Sequence, residues 1–129
     1  MNPVIHFELP CDDRERLATF FERAFGWKPE RLGPEMGNYV LLHTEDSPDE
    51  QGPRIKGGIF TRDASMPGVG PNIVIGVSKL EESMRLVTEA GGKVQGEPME
   101  IPGVGLYVTF LDTEGNRSGM LQPLPMATD

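Results

Sequence analysis

The chain has 129 residues, a length that suits one compact domain or two small halves sharing a core. Its 12 Lys and Arg against 20 Asp and Glu leave a formal charge of −8, a balance that repels nucleic-acid phosphates and anionic lipid. The single cysteine, Cys11, excludes an internal disulfide, no apolar run reaches the roughly 18 residues of a membrane span, and Met1-Asn2-Pro3 has neither the basic nor the apolar region of a signal peptide. A cytoplasmic, acidic protein with no nucleic-acid and no membrane partner is expected.

In chain order, Val4–Leu9 alternates, with Ile5, Phe7 and Leu9 on one face of a strand. Asp12 with Glu15 then forms a capping-box pattern. A helix follows in which Leu17, Phe20, Phe21, Ala24 and Phe25 make one apolar stripe, closed by Gly26. Lys28–Leu32 is a weaker strand pattern, and Tyr39–His43 alternates again. The polar loop Glu45–Lys56 carries Asp46, Asp49 and Glu50 and is expected to be solvated and more mobile than the strands; Gly57–Phe60 is the next strand. A Gly/Pro-rich linker covers Arg62–Pro71.

The pattern then repeats at an offset of 66 residues. Ile73, Ile75 and Val77 match the first strand, and Ser78 with Glu81 matches the cap. Leu80, Met84, Val87 and Ala90 match the helix stripe, with Gly92 as its stop. Lys93–Glu97, Tyr107–Leu111 and Ser118–Leu121 follow as strands, the last two joined by the turn Asp112–Asn116. These elements predict an α+β fold of two tandem βαβββ modules. Module 1 covers about 3–61, the linker about 62–71, module 2 about 72–122 and a frayed tail 123–129, all within one domain. One helix cannot cover both faces of its module's strands, so the expected solution is a mixed sheet whose concave, cavity-forming side the modules share. Ile5, Phe7, Leu9, Val40, Leu42, Ile73, Ile75, Val77, Val108 and Phe110 are assigned to the helix side. The opposite face carries His6, Glu8, Tyr39, His43, Asn72, Tyr107, Thr109 and Arg117. A polar, aromatic face suits either a ligand pocket or an ordinary solvated sheet surface.

His6-Phe7-Glu8-Leu9-Pro10, the pair Asp12-Asp13, a helix ending Phe25-Gly26-Trp27, and the hairpin Asp112-Thr113-Glu114-Gly115-Asn116 together resemble the vicinal oxygen chelate superfamily. That superfamily includes glyoxalase I, bleomycin-resistance proteins and extradiol dioxygenases. The resemblance spans about residues 3–122 and implies a cavity-forming fold and a homodimer. In the metal-dependent members, four positions on the first and last strands of each module hold one divalent ion through His or Glu. Those positions fall here on His6, Gly58, Asn72 and Gly119. Glycine offers no side chain and Asn72 only a neutral oxygen, so the usual metal set is not expected and no cofactor is assigned.

The resulting expectation is a metal-independent binder of a small organic molecule, cationic or aromatic, using His6, Glu8, Tyr39, His43, Asn72, Tyr107 and Thr109. The alternative is a divalent-metal-dependent lyase, isomerase or dioxygenase with a rearranged site around His6, Glu8 and His43. No catalytic residue is assigned. Cys11, aligned with Val77, reads as a small buried hydrophobe rather than a nucleophile, and Trp27 as packing on the helix end. Gly91-Gly92-Lys93 lacks the spacing of a phosphate loop and reads as a helix stop.

Overall fold

The computed structural model describes residues 1–45 and 55–124. The loop acids Asp46, Asp49 and Glu50 and the tail from 125 lie outside the described residues. The chain divides into two compact units, Ile5–Pro71 and Met1–Val4 with Asn72 onward.

Among the described residues there are eight strands and two α-helices, and each unit has the order βαβββ. In the first, β1 (Val4–Cys11), α1 (Arg14–Phe25), β2 (Lys28–Arg31), β3 (Val40–His43) and β4 (Lys56–Thr61) follow in sequence. Strands lie in the order β2-β3-β4-β1, with β4 parallel to β1 and the other neighbours antiparallel. In the second, β5 (Asn72–Gly76), α2 (Leu80–Glu89), β6 (Lys93–Ile101), β7 (Gly105–Leu111) and β8 (Arg117–Pro123) repeat the plan. Their order is β5-β8-β7-β6, with β8 parallel to β5. The class is α+β, as the repeat predicts, and the helices begin at Arg14 and Leu80, 66 residues apart. Five strands are longer than expected: β1 runs on to Cys11, β4 gains a residue at each end, β7 begins at Gly105, β6 reaches Ile101 through a bulge between Gln95 and Met99, and β8 runs from Arg117 to Pro123.

Each unit has its own core. Cys11, Ala18, Val40, Leu42 and Ile59 are buried together, with Phe7, Leu9, Leu17, Phe21 and Trp27 packed on them. The second core holds Val77, Leu80, Val108, Phe110 and Met120, with Ile75, Met84 and Val87 against it. Leu42, Ile59 and Leu80 are fully enclosed, each worth about 1.5–3 kcal/mol in transfer from water. The Trp27 ring stacks on Phe21 at 4.7 Å, so it does pack on the helix end. Cys11 is buried, and burial pushes its thiol pKa up.

Several local expectations need correction. The cap of α1 is Asp13, not Asp12: the backbone stays extended one residue further, and the Asp13 carboxylate accepts from Arg16 N at 3.0 Å. Asp12 turns to Arg62, and Glu15 forks onto Arg31 at 2.7 Å. α2 begins after Lys79, which has no acceptor to offer; Leu80 N instead donates to the Gln122 side chain of β8 at 2.8 Å. At the other end the left-handed residue is Gly91 (φ +101), while Gly92 keeps clear of the Leu111 carbonyl, which a Cβ would approach to 2.8 Å.

The stripe of α1 is narrower than its spacing suggests. Leu17, Ala18 and Phe21 face the core, whereas Phe20 and Phe25 are 54% and 64% exposed and Ala24 is also exposed. Ala18, absent from the expected stripe, is its most enclosed member because its small side chain lets the helix sit close to the strands. On β5, Ile73 is exposed, while Val74 on the opposite face is buried.

Candidate functional site

β1 alternates, so Phe7 and Leu9 point to the core while His6 and Glu8 share the other face. The parallel ladder sets His6 beside Lys56 and Glu8 beside Gly58 on β4. Tyr39, just before β3, completes the cluster: its hydroxyl donates to Glu8 Oε2 at 2.9 Å and lies 2.9 Å from His6 Nε2. The three groups form one hydrogen-bonded chain, His6–Tyr39–Glu8, in a half-buried setting.

The chain depends on Gly58. A Cβ built there would overlap the Tyr39 hydroxyl and ring, so the phenol lies in space that any other residue would fill. Its neighbour Gly57 does the same for the opposite face, where a Cβ would overlap the Phe7 ring. The second unit repeats the device. Tyr107 pairs with Leu121, diagonal to Gly119, and a Cβ at Gly119 would come within 2.5 Å of the Tyr107 hydroxyl. Glycine inside a strand often marks a close approach of this sort. That signal was present in the sequence, yet it does not say which ring approaches.

The remaining expected residues are placed as follows. His43 Nε2 contacts Glu30 Oε1 at 3.1 Å, a pair spanning β2 and β3. Thr109 lies opposite Gly119 in the β7–β8 ladder, and Val74 flanks Gly119 on β5. Asn72, on the same face as Val74, has its Oδ1 buried without a hydrogen-bond partner. The structure thus brings His6, Glu8 and Tyr39 together and gives His43 a separate partner in Glu30.

Burial pushes the His6 pKa below its ordinary value; the Glu8 charge opposes this and the Lys56 charge adds to it. The imidazole is therefore neutral at neutral pH. Among the described residues no three His, Cys, Asp or Glu side chains gather as a metal site. The donor set agrees with that geometry: at Gly58 and Gly119, two positions the resemblance assigns to metal ligands, tyrosine overlies bare backbone. The residues present do not fit the usual divalent ion. A shallow groove along α1, flanked by Arg16, Phe20 and Arg23, shares no residue with the cluster.

Residues 4–45 match the family model described as bleomycin resistance protein-like, N-terminal. A glyoxylase-like domain-containing protein of Didymella fabae is 31% identical over 112 residues, 84% of each chain. The chain belongs to the glyoxalase-like proteins of the vicinal oxygen chelate superfamily. A Mycobacterium bovis protein described as a candidate glyoxylase, CFP32, is 29% identical over 126 residues, and the glyoxalase-like chain spans 44% of its length. Among solved structures, a hypothetical protein of Bacillus halodurans C-125 is similar at TM-score 0.70 and 18% identity, covering 99% of both chains. A Streptomyces coelicolor methylmalonyl-CoA epimerase in complex with 2-nitronate-propionyl-CoA reaches TM-score 0.70 at 16% identity, covering 100% of this chain and 99% of its own. Both identities are low, so these two likenesses carry the fold alone.

Proposed function

We propose that this glyoxalase-like chain binds a small organic molecule without a metal ion. The proposed ligand-binding residues of the first module are His6, Glu8, Tyr39 and His43; those of the second module, taken by itself, are Asn72, Tyr107 and Thr109. The observation that carries this reading is the tyrosine laid over glycine in each module: at two of the four positions the resemblance assigns to metal ligands the residue has no side chain, and a phenol fills the space where a His or Glu side chain would start. In place of a metal, the first module offers a polar chain of imidazole, phenol and carboxylate, in which the Tyr39 ring also stacks beside the imidazole at 6.3 Å. The ligand proposed is cationic or aromatic. The epimerase of like fold holds an acyl-CoA analogue, but a chain of net charge −8 disfavours so polyanionic a ligand.

The metal-dependent alternative has less support, because His43 is engaged by Glu30 rather than joined to His6 and Glu8. One experiment separates the two. Protein purified without chelator is assayed for bound metal, then screened by thermal shift against divalent ions and a panel of cationic and aromatic molecules. A ligand at about 100 times its Kd stabilises the fold by about 2.7 kcal/mol. Stabilisation by organic molecules and none by metal is the expected result; stoichiometric metal in the purified protein refutes the proposal. A homodimer, proposed from the superfamily pattern, is checked by light scattering.

A further inference from the structure

Tyr39 has one hydroxyl proton, and the structure gives it to Glu8. Toward His6 the phenol oxygen can then only accept, so the proton between them belongs to His6 Nε2. A neutral imidazole carries one proton, which leaves the lone pair on Nδ1. Among the described residues, Nδ1 makes no hydrogen bond. A half-buried acceptor without a protein partner has to be met by water or by a ligand. Among the described residues, the titratable groups facing His6 are Glu8 on its own strand, Lys56 on the neighbouring strand and Tyr39.

We propose that His6 receives the ligand through Nδ1, that the ligand presents an N–H donor there, and that Tyr39 is the positioning residue that holds this tautomer. The inference rests on the binding reading above and names the chemistry of that ligand: a neutral or cationic nitrogen head, such as an amide, amidine or protonated amine. A carboxylate or phosphate head has only acceptors and would face the Nδ1 lone pair and the Glu8 carboxylate. Gly58 takes part indirectly, since it makes the room in which Tyr39 lies.

The test is long-range 1H–15N NMR of the imidazoles at neutral pH. The sequence has two histidines, and loss of one set of signals in His6→Gln assigns the other. His6 is expected as a single Nε2–H tautomer; in Tyr39→Phe the ratio relaxes toward that of a solvated imidazole. Benzamidine, a planar cation with two N–H edges, should shift Nδ1 while leaving Nε2 protonated, and bind at least tenfold more weakly to Tyr39→Phe. Benzoate, of the same shape with acceptors only, should not move Nδ1. A majority Nδ1–H tautomer, no response to benzamidine, or an equal response to benzoate overturns the assignment. Stoichiometric metal refutes the binding reading instead, so the two failures are told apart.

Discussion

Replacing Gly58 by alanine adds one methyl group and touches no functional atom, yet it should dismantle the His6–Tyr39–Glu8 chain. The new Cβ takes the space of the Tyr39 hydroxyl and ring, and behind it is strand backbone that cannot retreat. Tyr39 has to leave. It then loses its bond to the Glu8 carboxylate and its bond to His6, both 2.9 Å long. A hydrogen bond to a charged group contributes about 1.5–3 kcal/mol and one between neutral groups about 0.5–1.5. Water recovers part of this at a half-buried site, and alanine restricts the unfolded chain by about 0.4–1 kcal/mol in compensation. The expected net loss is about 1–3 kcal/mol, read as a lower urea midpoint at unchanged slope. The deciding comparison is a double-mutant cycle with Tyr39→Ala. Once the ring is gone, Gly58→Ala should be neutral or stabilising, because alanine suits a strand interior better than glycine by about 0.5–1 kcal/mol. An equal cost in both backgrounds refutes the reasoning.

His6 should give the fold a pH dependence of its own. Its pKa is depressed in the native state, so between that value and the ordinary 6.5 the unfolded chain binds more protons, and stability falls as pH drops below about 6.5. His6→Gln should flatten that limb of a Tm–pH curve; an unchanged limb refutes it. Asp112 acts lower on the scale. The Asn116 side chain and backbone hold its carboxyl below the usual 3.8, so Asp112→Ala should lower Tm at neutral pH, with the difference shrinking as acid carries the wild type through its folded pKa. Gln122→Ala should cost about 1 kcal/mol, the usual worth of an N-cap, and speed amide exchange at Leu80; unchanged exchange there rules out the cap. Ala18→Leu should cost about 1–3 kcal/mol by overpacking an enclosed site, measured by the urea midpoint.

The repeat of strand, helix and three strands was legible because each element carries its own period, and helix starts keep an offset of 66 residues through every intervening loop. What depends on tertiary partners was not. Asp12 and Asp13 are equally able caps, and only the path of the chain toward Arg62 selects between them. The cap of α2 comes from Gln122, 42 residues away, which no local pattern announces. Phe20 and Phe25 fit the helix period yet are exposed, while Ala18, outside that spacing, is fully enclosed. In the site, β1 alternation fixed the shared face of His6 and Glu8. The hydrogen bonds of Tyr39 with Glu8 and His6 required the β3–β4 register and the room over Gly58, neither of which is encoded locally.

The adjacent pair Gly57-Gly58 has an evolutionary corollary. Each glycine lies under a ring from a different side of β4, so two consecutive codons are closed to nearly every missense change. A carboxylate or imidazole at 58 would arrive where Tyr39 already stands, and removing Tyr39 first strips His6 and Glu8 of their bridge. Either order passes through an impaired intermediate. Placing a metal-ligating side chain at this position therefore needs two coordinated substitutions, and the same holds for Gly119 beneath Tyr107. Each tyrosine and the glycine beneath it can change only together.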